Sequence, residues 1–188
     1  MPGAIVAERE HVTLRTPEPE DAGFCQRARV NPEIRYPIGN PVESREELAV
    51  TTTRDGGDAF IVTVADTGGR GTPEEGTFER AGWVGLDDVS YRRPELGYWI
   101  AAEHQGEGYS TEAVVLAVDY SFRTYDHPAV GARAYAFNDA SRALLESLGF
   151  EEEGRVRRDR FVDGEYVDTV LYGLLREHWG GPDDVIRC

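Results

Sequence analysis

The chain predicts a mixed α/β or α+β sheet rather than a doubly wound, all-parallel one, on three observations. Short alternating apolar runs are separated by segments with helical spacing, so strands and helices interleave. The last third, R-V-R-R-D-R-F-V-D-G-E-Y-V-D-T-V-L-Y-G-L-L, places Asp163-Gly164 between two alternating runs, which predicts a closing antiparallel hairpin. Between Glu95 and Glu112 the chain reads E-L-G-Y-W-I-A-A-E-H-Q-G-E-G-Y-S-T-E, an apolar strand that runs through a glycine-bearing loop into a helix. Hairpins thus join some strands and helices cross between others, which is the signature of mixed pairing.

In order, His11 to Arg15 is a short alternating strand, and the Pro/Glu/Asp cluster behind it starts a helix that runs to about Val30. Pro32 and Pro37 are expected to break it. Ser44 opens S-R-E-E, a capping box with Glu47 that predicts a second helix. Phe60 to Ala65 and Trp83 to Val89 read as strands joined by a Gly-rich loop over Asp66 to Thr77. Glu95 to Ala101 is the next strand, and Thr111 to Arg123 a helix whose inner face carries Ala113, Leu116, Ala117 and Tyr120. Val130 to Ala136 returns to strand, and N-D-A-S-R-A-L-L-E-S-L-G-F gives a loop and a short helix closed by Gly149.

With 188 residues the chain is expected to form one domain over 1–188, with 180–188 a tail. Its 35 acidic residues face 20 basic ones, the net charge is −15, and every basic residue is Arg. Such a surface argues against nucleic acid and anionic lipid as partners. The composition resembles that of proteins from salt-in halophiles, a reading we prefer to steering of a cationic substrate because the charge is spread along the whole chain. No run reaches the roughly 18 apolar residues of a membrane span, and the first ten residues lack a basic start followed by an apolar stretch, so a soluble cytoplasmic protein is expected. Cys25 and Cys188 suggest neither a disulfide framework nor a metal site, and the four histidines show no ligand spacing.

The strand–loop–helix at the centre has the parts of an anion site. Gly106 and Gly108 let backbone N–H groups approach a ligand, Ser110 or Thr111 is placed to cap the helix, and the helix start turns a positive dipole end toward a phosphate. A Rossmann fingerprint fails, since Thr111 stands where its third glycine belongs and the next strand ends near Asn138 rather than at an acid. A P-loop fails for want of a lysine. A pyrophosphate cradle of backbone donors survives both eliminations.

These motifs resemble those of the GNAT superfamily of acetyl-CoA-dependent N-acetyltransferases, and within it the RimJ/RimL branch of protein N-terminal acetyltransferases. The superfamily loop Q/R-x-x-G-x-G/A matches Gln105-Gly106-Glu107-Gly108-Tyr109-Ser110, with Ser110 as the final small residue. L-R-T-P-E-P-E-D, E-L-G-Y-W-I, G-Y-S-T-E-A, Asn138 to Ser141, Leu148 to Phe150 and the D-G-E-Y-V-D-T-V-L-Y-G-L-L-R-E-H-W ending extend the likeness over nearly the whole chain. The resemblance implies a twisted, mostly antiparallel sheet with a central splayed parallel pair and about four flanking helices. It also implies acetyl-CoA as the cofactor, held by the backbone of Trp99, Ile100 and Ala101, by Gln105 to Thr111, and by Asn138 and Ser141.

Acetyl transfer to an amine needs a base for the nucleophile, donors for the developing oxyanion and a proton for the leaving thiolate. By resemblance Glu95 is the base, with pairing to Arg92 or Arg93 as the alternative, and Ser141 serves the thiolate, with helix capping as the alternative for Asn138 and Ser141. Leu145 stands where many members carry a proton-donating tyrosine. His104 and Glu112 are expected to be bystanders, Trp83, Tyr98, Trp99 and Tyr172 core or groove-lining aromatics, and Arg155, Arg157, Arg158 and Arg160 a solvated strand face. The implied activity is acetyl transfer to a primary amine, with a protein N-terminus as the first acceptor. A small amine acceptor, or a non-catalytic acyl-CoA sensor, stays open, as does a homodimer.

Overall fold

A computed structural model of the chain describes residues 3–39, 42–44, 46, 48, 57–65, 78–89 and 93–183. Its eight strands are β1 (Ile5–Glu8), β2 (Val12–Arg15), β3 (Asp58–Ala65), β4 (Phe78–Asp87), β5 (Glu95–Ile100), β6 (Ala129–Tyr135), β7 (Glu151–Val162) and β8 (Glu165–Leu175). They form one sheet in the order β1-β2-β3-β4-β5-β6-β8-β7. Every neighbouring pair is antiparallel except β5 and β6, which run parallel.

Four α-helices have both ends among the described residues: α1 (Ala22–Val30), α2 (Pro32–Ile38), α3 (Tyr109–Thr124) and α4 (Asp139–Ser147); Glu46 and Leu48 are also helical, the Leu48 N–H bonding the Ser44 carbonyl. Helix α3 carries Ala113, Val114, Val115, Ala117 and Val118 into the larger core, together with Leu145 and Leu148 from the α4 region. A second cluster joins Phe24, Cys25, Ala28 and Ile34 to Ile61 and Trp99 of the sheet and to Ala101 just beyond β5. Burial there pushes the Cys25 thiol up to about 11, so it stays a protonated hydrophobe at neutral pH. No described helix is long and apolar enough to cross a membrane.

The turns follow their residues closely. Asp163 and Gly164 have φ of 48° and 87°, so both central positions are left-handed, as a type I′ hairpin turn requires. At the end of α4 the Phe150 N–H bonds the Leu145 carbonyl and the Gly149 N–H that of Glu146, the paired bonds of a Schellman motif with Gly149 at φ 87°.

Three expectations need correction. β1 was not foreseen, because four residues with no clean alternation carry little signal; it is an edge strand. α1 does end at Val30, but Pro32 opens a new helix and Pro37, expected to break one, lies inside it: Asn31 caps α2 by accepting the Glu33 N–H at 3.1 Å, and proline at the first helical position lacks only a hydrogen that has no acceptor there. Helix α3 starts at Gly108, in left-handed conformation with no side-chain cap, so Ser110 and Thr111 lie within its first turn. Glu47 of the expected capping box and residues 66–77 of the Gly-rich loop lie outside the described residues.

Candidate active site

The site exists because β5 and β6 stop pairing. Only Glu95–Gly131 and Leu96–Ala132 are matched between them, although each strand continues for several residues beyond. On its other side β5 is paired with β4 along its whole length, from Asp87–Glu95 to Gly82–Ile100. The Ala101 N–H bonds the Ala81 carbonyl at 2.8 Å, and backbone groups alternate sides along a strand. The peptide groups of Gly97 and Trp99 therefore face β4, while those of Tyr98 and Ile100 face the gap. Of the three residues expected to present a polar edge, Ile100 does so, and Tyr98 joins it.

A cavity of about 710 Å³ fills this gap and runs on to the glycine loop. Gln105, Gly106, Gly108, Tyr109 and Ser110 line one end, Asn138, Ser141 and Leu144 one wall, and Glu95 with Arg133 the other end. Gly106 and Gly108 adopt φ of 87° and 81°, and a Cβ at either would meet nothing within 4 Å. Glycine is needed there for conformation, and the space above the loop is open to a ligand. Thr111 and Glu112 bond the Gly108 carbonyl, whereas Tyr109 and Ser110 come too early for a helical acceptor and direct their N–H groups outward. The loop is drawn back to β5 by Gln105, whose Nε2 donates to the Ile100 carbonyl at 3.0 Å. Glu107 is exposed at its tip.

Glu95 is half-buried and accepts from Arg133 Nε at 3.0 Å, a partner one strand away that the sequence reading did not name. Arg93 instead makes a bidentate pair with Glu153, one bond being 2.8 Å, and Arg92 lies outside the described residues. Arg93 crosses β6 and β8 to reach β7. It passes over Gly131 and Gly173, where an added Cβ would lie 3.0 Å from its Nε and Nη1, respectively.

On the opposite wall Asn138 caps α4, its Oδ1 accepting the Ser141 N–H at 3.1 Å. The Ser141 hydroxyl lies 2.8 Å from the Tyr98 hydroxyl. Burial pushes the Tyr98 phenol up to about 12, partly opposed by its bond to Ser141. Sequence reasoning took Tyr98 for a lining aromatic; strand alternation, which puts it on the face that carries Leu96 and Ile100, was the signal that could have found it. Leu145, one helical turn beyond Ser141, is fully buried in the core and packs rather than reacts.

The bystanders have jobs of their own. Glu112 accepts from the His11 and Val12 N–H groups at 3.0 and 3.2 Å and from His11 Nδ1 at 2.7 Å, tying β2 to the start of α3. His104 lines the cavity near Glu79, 3.6 Å away. Tyr172 is fully buried, its hydroxyl held between Arg142 and Glu146. Arg155, Arg157, Arg158 and Arg160 lie on exposed β7, although Arg160 also touches the cavity. Among the described residues six carboxylates line the cavity against three guanidiniums. Arg29 pairs with Glu43, Arg133 with Glu95 and Arg160 with Asp159. No group of three or more His, Cys, Asp or Glu among the described residues is placed to hold a metal.

Comparison with known proteins agrees with this geometry. The chain is 28% identical over 171 residues to spermidine N(1)-acetyltransferase of Escherichia coli (strain K12), covering 89% of this chain and 88% of that one. It is 36% identical over 90 residues to the [ribosomal protein uS5]-alanine N-acetyltransferase of the same strain, covering 48% and 46%. The chain spans about half the length of several curated relatives that it matches. Among solved structures, spermidine N-acetyltransferase from Vibrio cholerae in complex with CoA and spermine superposes with a TM-score of 0.75 at 26% identity, covering 89% of this chain and 96% of that one. The family model of the acetyltransferase (GNAT) domain matches residues 11–151, three quarters of the sequence, and the chain belongs to that family.

Proposed function

We propose that this protein transfers acetyl from acetyl-CoA to a primary amine by direct attack in a ternary complex. The observation that carries this reading is one continuous cavity that joins the glycine loop, the unpaired edge of β5 and the Glu95 carboxylate. Acetyl-CoA supplies a thioester, an electrophilic carbonyl with a thiolate leaving group. The Tyr109 and Ser110 N–H groups and the α3 dipole suit the pyrophosphate, the loop glycines give it room, and the open edge at the Tyr98 peptide groups and the Ile100 N–H suits the amides of a pantetheine arm. Asn138 shapes the turn that presents Ser141 to the same space.

Glu95 is the proposed base, acting directly or through a water. Arg133 engages its Oε1 and leaves Oε2 for the amine. A carboxylate is a modest base, which suits an α-amino group whose ordinary pKa is about 7.7 to 8.0 better than an alkylamine near 10. That favours a protein N-terminus as the acceptor. A small cationic amine is the second reading, favoured by the carboxylate excess around the cavity and by the two spermidine acetyltransferases.

The test is thiol release from acetyl-CoA with a panel of N-terminal peptides and of diamines and polyamines. Saturable turnover of peptides alone supports the first acceptor, and turnover of polyamines alone replaces it with the second. Acetyl-CoA binding without release from any amine would sink the transferase reading in favour of a sensor. With the acceptor in hand, Glu95→Gln should lower kcat by about 100-fold or more while acetyl-CoA affinity stays within about twofold; an unchanged kcat removes Glu95 as base.

A further inference from the structure

Ser141 can help a departing sulfur only if its O–H points into the cavity. An alkyl hydroxyl at the start of a helix has competing acceptors, notably the carbonyls of the preceding turn. Something has to choose its rotamer and direction. Among the described residues the side-chain partner of Ser141 Oγ is the Tyr98 hydroxyl at 2.8 Å, the usual separation for a good O–H···O bond. Tyr98 has a second acceptor in the Ser141 carbonyl, but at 3.4 Å that contact is weak. Either hydroxyl could donate in the short bond, but a phenol is the stronger acid and a serine oxygen the better acceptor, which favours the direction from Tyr98 to Ser141. One lone pair of Oγ is then occupied, and its hydrogen is turned away from Tyr98.

We propose that Tyr98 is a positioning residue for the transfer, its O–H donating to Ser141 Oγ so that the Ser141 O–H is aimed at the sulfur of bound CoA. This rests on the reading of Ser141 as the group that serves the sulfur, and adds a residue to it. In the reaction the carbon–sulfur bond breaks with its electron pair on sulfur, and the amine nitrogen gains the acetyl group and gives up one proton. That proton balances the one that ends on the thiol. Tyr98 transfers none: with its phenol pushed up to about 12, it stays an O–H donor across the neutral range, and a tyrosinate would be a costly product of donation to a thiolate. The same shift makes the orientation insensitive to pH, unlike one that depends on a histidine.

The arrangement also accounts for Leu145. A proton donor one turn further along α4 would sit in the core, so the hydroxyl that reaches the gap comes from Ser141, and the sheet supplies its orientation from the facing strand. Asn138 fixes the backbone of Ser141 through its N–H, and Tyr98 fixes the side chain.

The experiment titrates the thiol of CoA in its binary complex by ultraviolet thiolate absorbance, which needs no acceptor. An O–H aimed at the sulfur stabilises the thiolate, so Ser141→Ala should raise the bound thiol's pKa by about one unit, tenfold in proton affinity. Tyr98→Phe, which keeps the ring, should raise it by most of the same amount, and the double variant no further than Ser141→Ala alone. Circular dichroism should match wild type. If Ser141→Ala shifts the titration and Tyr98→Phe does not, or if the two shifts add, the positioning role is overturned while Ser141 keeps its own. If Ser141→Ala shifts nothing, the reading of Ser141 itself fails and this proposal falls with it. In turnover the same cycle should show kcat losses that do not add, with KM for acetyl-CoA unchanged.

Discussion

The two edges of β5 differ as sharply as any two regions of the molecule. Toward β4 the strand is paired end to end, and the approach is so close that a Cβ on Gly82 would lie 2.3 Å from the Trp99 carbonyl oxygen. Toward β6 it is paired at two positions and then released. One edge turns peptide groups into sheet, and the other keeps them for a ligand. The contrast teaches that the site is made by withholding hydrogen bonds, and that the withheld edge is tolerable because the opposite one and the vertex of the gap are fastened.

Breaking the fastened edge should cost most. Gly82→Ala drives a methyl into backbone, which cannot swing aside, so we expect a loss of about 1–3 kcal/mol in denaturant unfolding; a variant as stable as wild type would show that the β4–β5 contact can yield. At the open edge, Gly106→Val strains a residue at φ 87° by about 1–2 kcal/mol and fills ligand space. There the larger readout is affinity: CoA binding by calorimetry should weaken about tenfold or more, and unchanged binding would detach the loop from the ligand.

The vertex should be softer. Gly173→Ala places a Cβ 2.1 Å from Glu153 Oε1, but that oxygen ends a flexible, partly exposed side chain and can move. Loss of the Arg93 bridge should then cost about 1 kcal/mol or less, with a detectable rise in amide exchange at Leu96 and Ala132 that Gly82→Ala would spread over β4 as well.

The smallest effect concerns pH. The hydrogen bond to Glu112 holds His11 above its ordinary 6.5 despite a small desolvation cost. A group raised on folding contributes stability fully below the unfolded value and loses it as pH rises through the folded one. Stability should therefore slip slightly from about pH 6.5 upward, by little because His11 is exposed, and His11→Ala should flatten that slope. Equal slopes in both proteins would remove the pair as the cause. Independently, the net charge of −15 leads us to expect a higher Tm in molar salt, where screening shortens to about 3 Å.

What was legible in the sequence is what short-range chemistry decides. Asp163-Gly164 prescribes its turn, Gly149 its helix end, and the glycine loop its position between β5 and α3, because each rests on residues within a few positions of one another. Pro32 marked the end of α1 but hid the start of α2, since a proline reads as a break until the asparagine before it is known to cap, and Pro37 sits inside α2 where a break was expected. The site's own pairings were beyond reach for a different reason. Arg133 finds Glu95, Arg93 finds Glu153 and Tyr98 finds Ser141 only after the sheet order brings β5, β6, β7 and α4 together, and no spacing in one sequence encodes that order. Glu95 and Ser141 could be singled out as candidates, whereas the side chains that touch them could not.

The outer strand β7 departs from regularity where five of its residues, Val156 to Arg160, pass against three of β8, Thr169 to Val167. Arg158 sits there at φ 51°, and its N–H is claimed by the Asp168 carboxylate at 2.9 Å. A bulged edge with one donor already spent is a poorer template for a neighbouring chain. Charge repulsion would ordinarily give an acidic protein the same protection, but concentrated electrolyte removes it. A kink in the backbone does not fade with ionic strength, and it keeps this margin of the sheet from seeding fibrils under conditions where electrostatics no longer can.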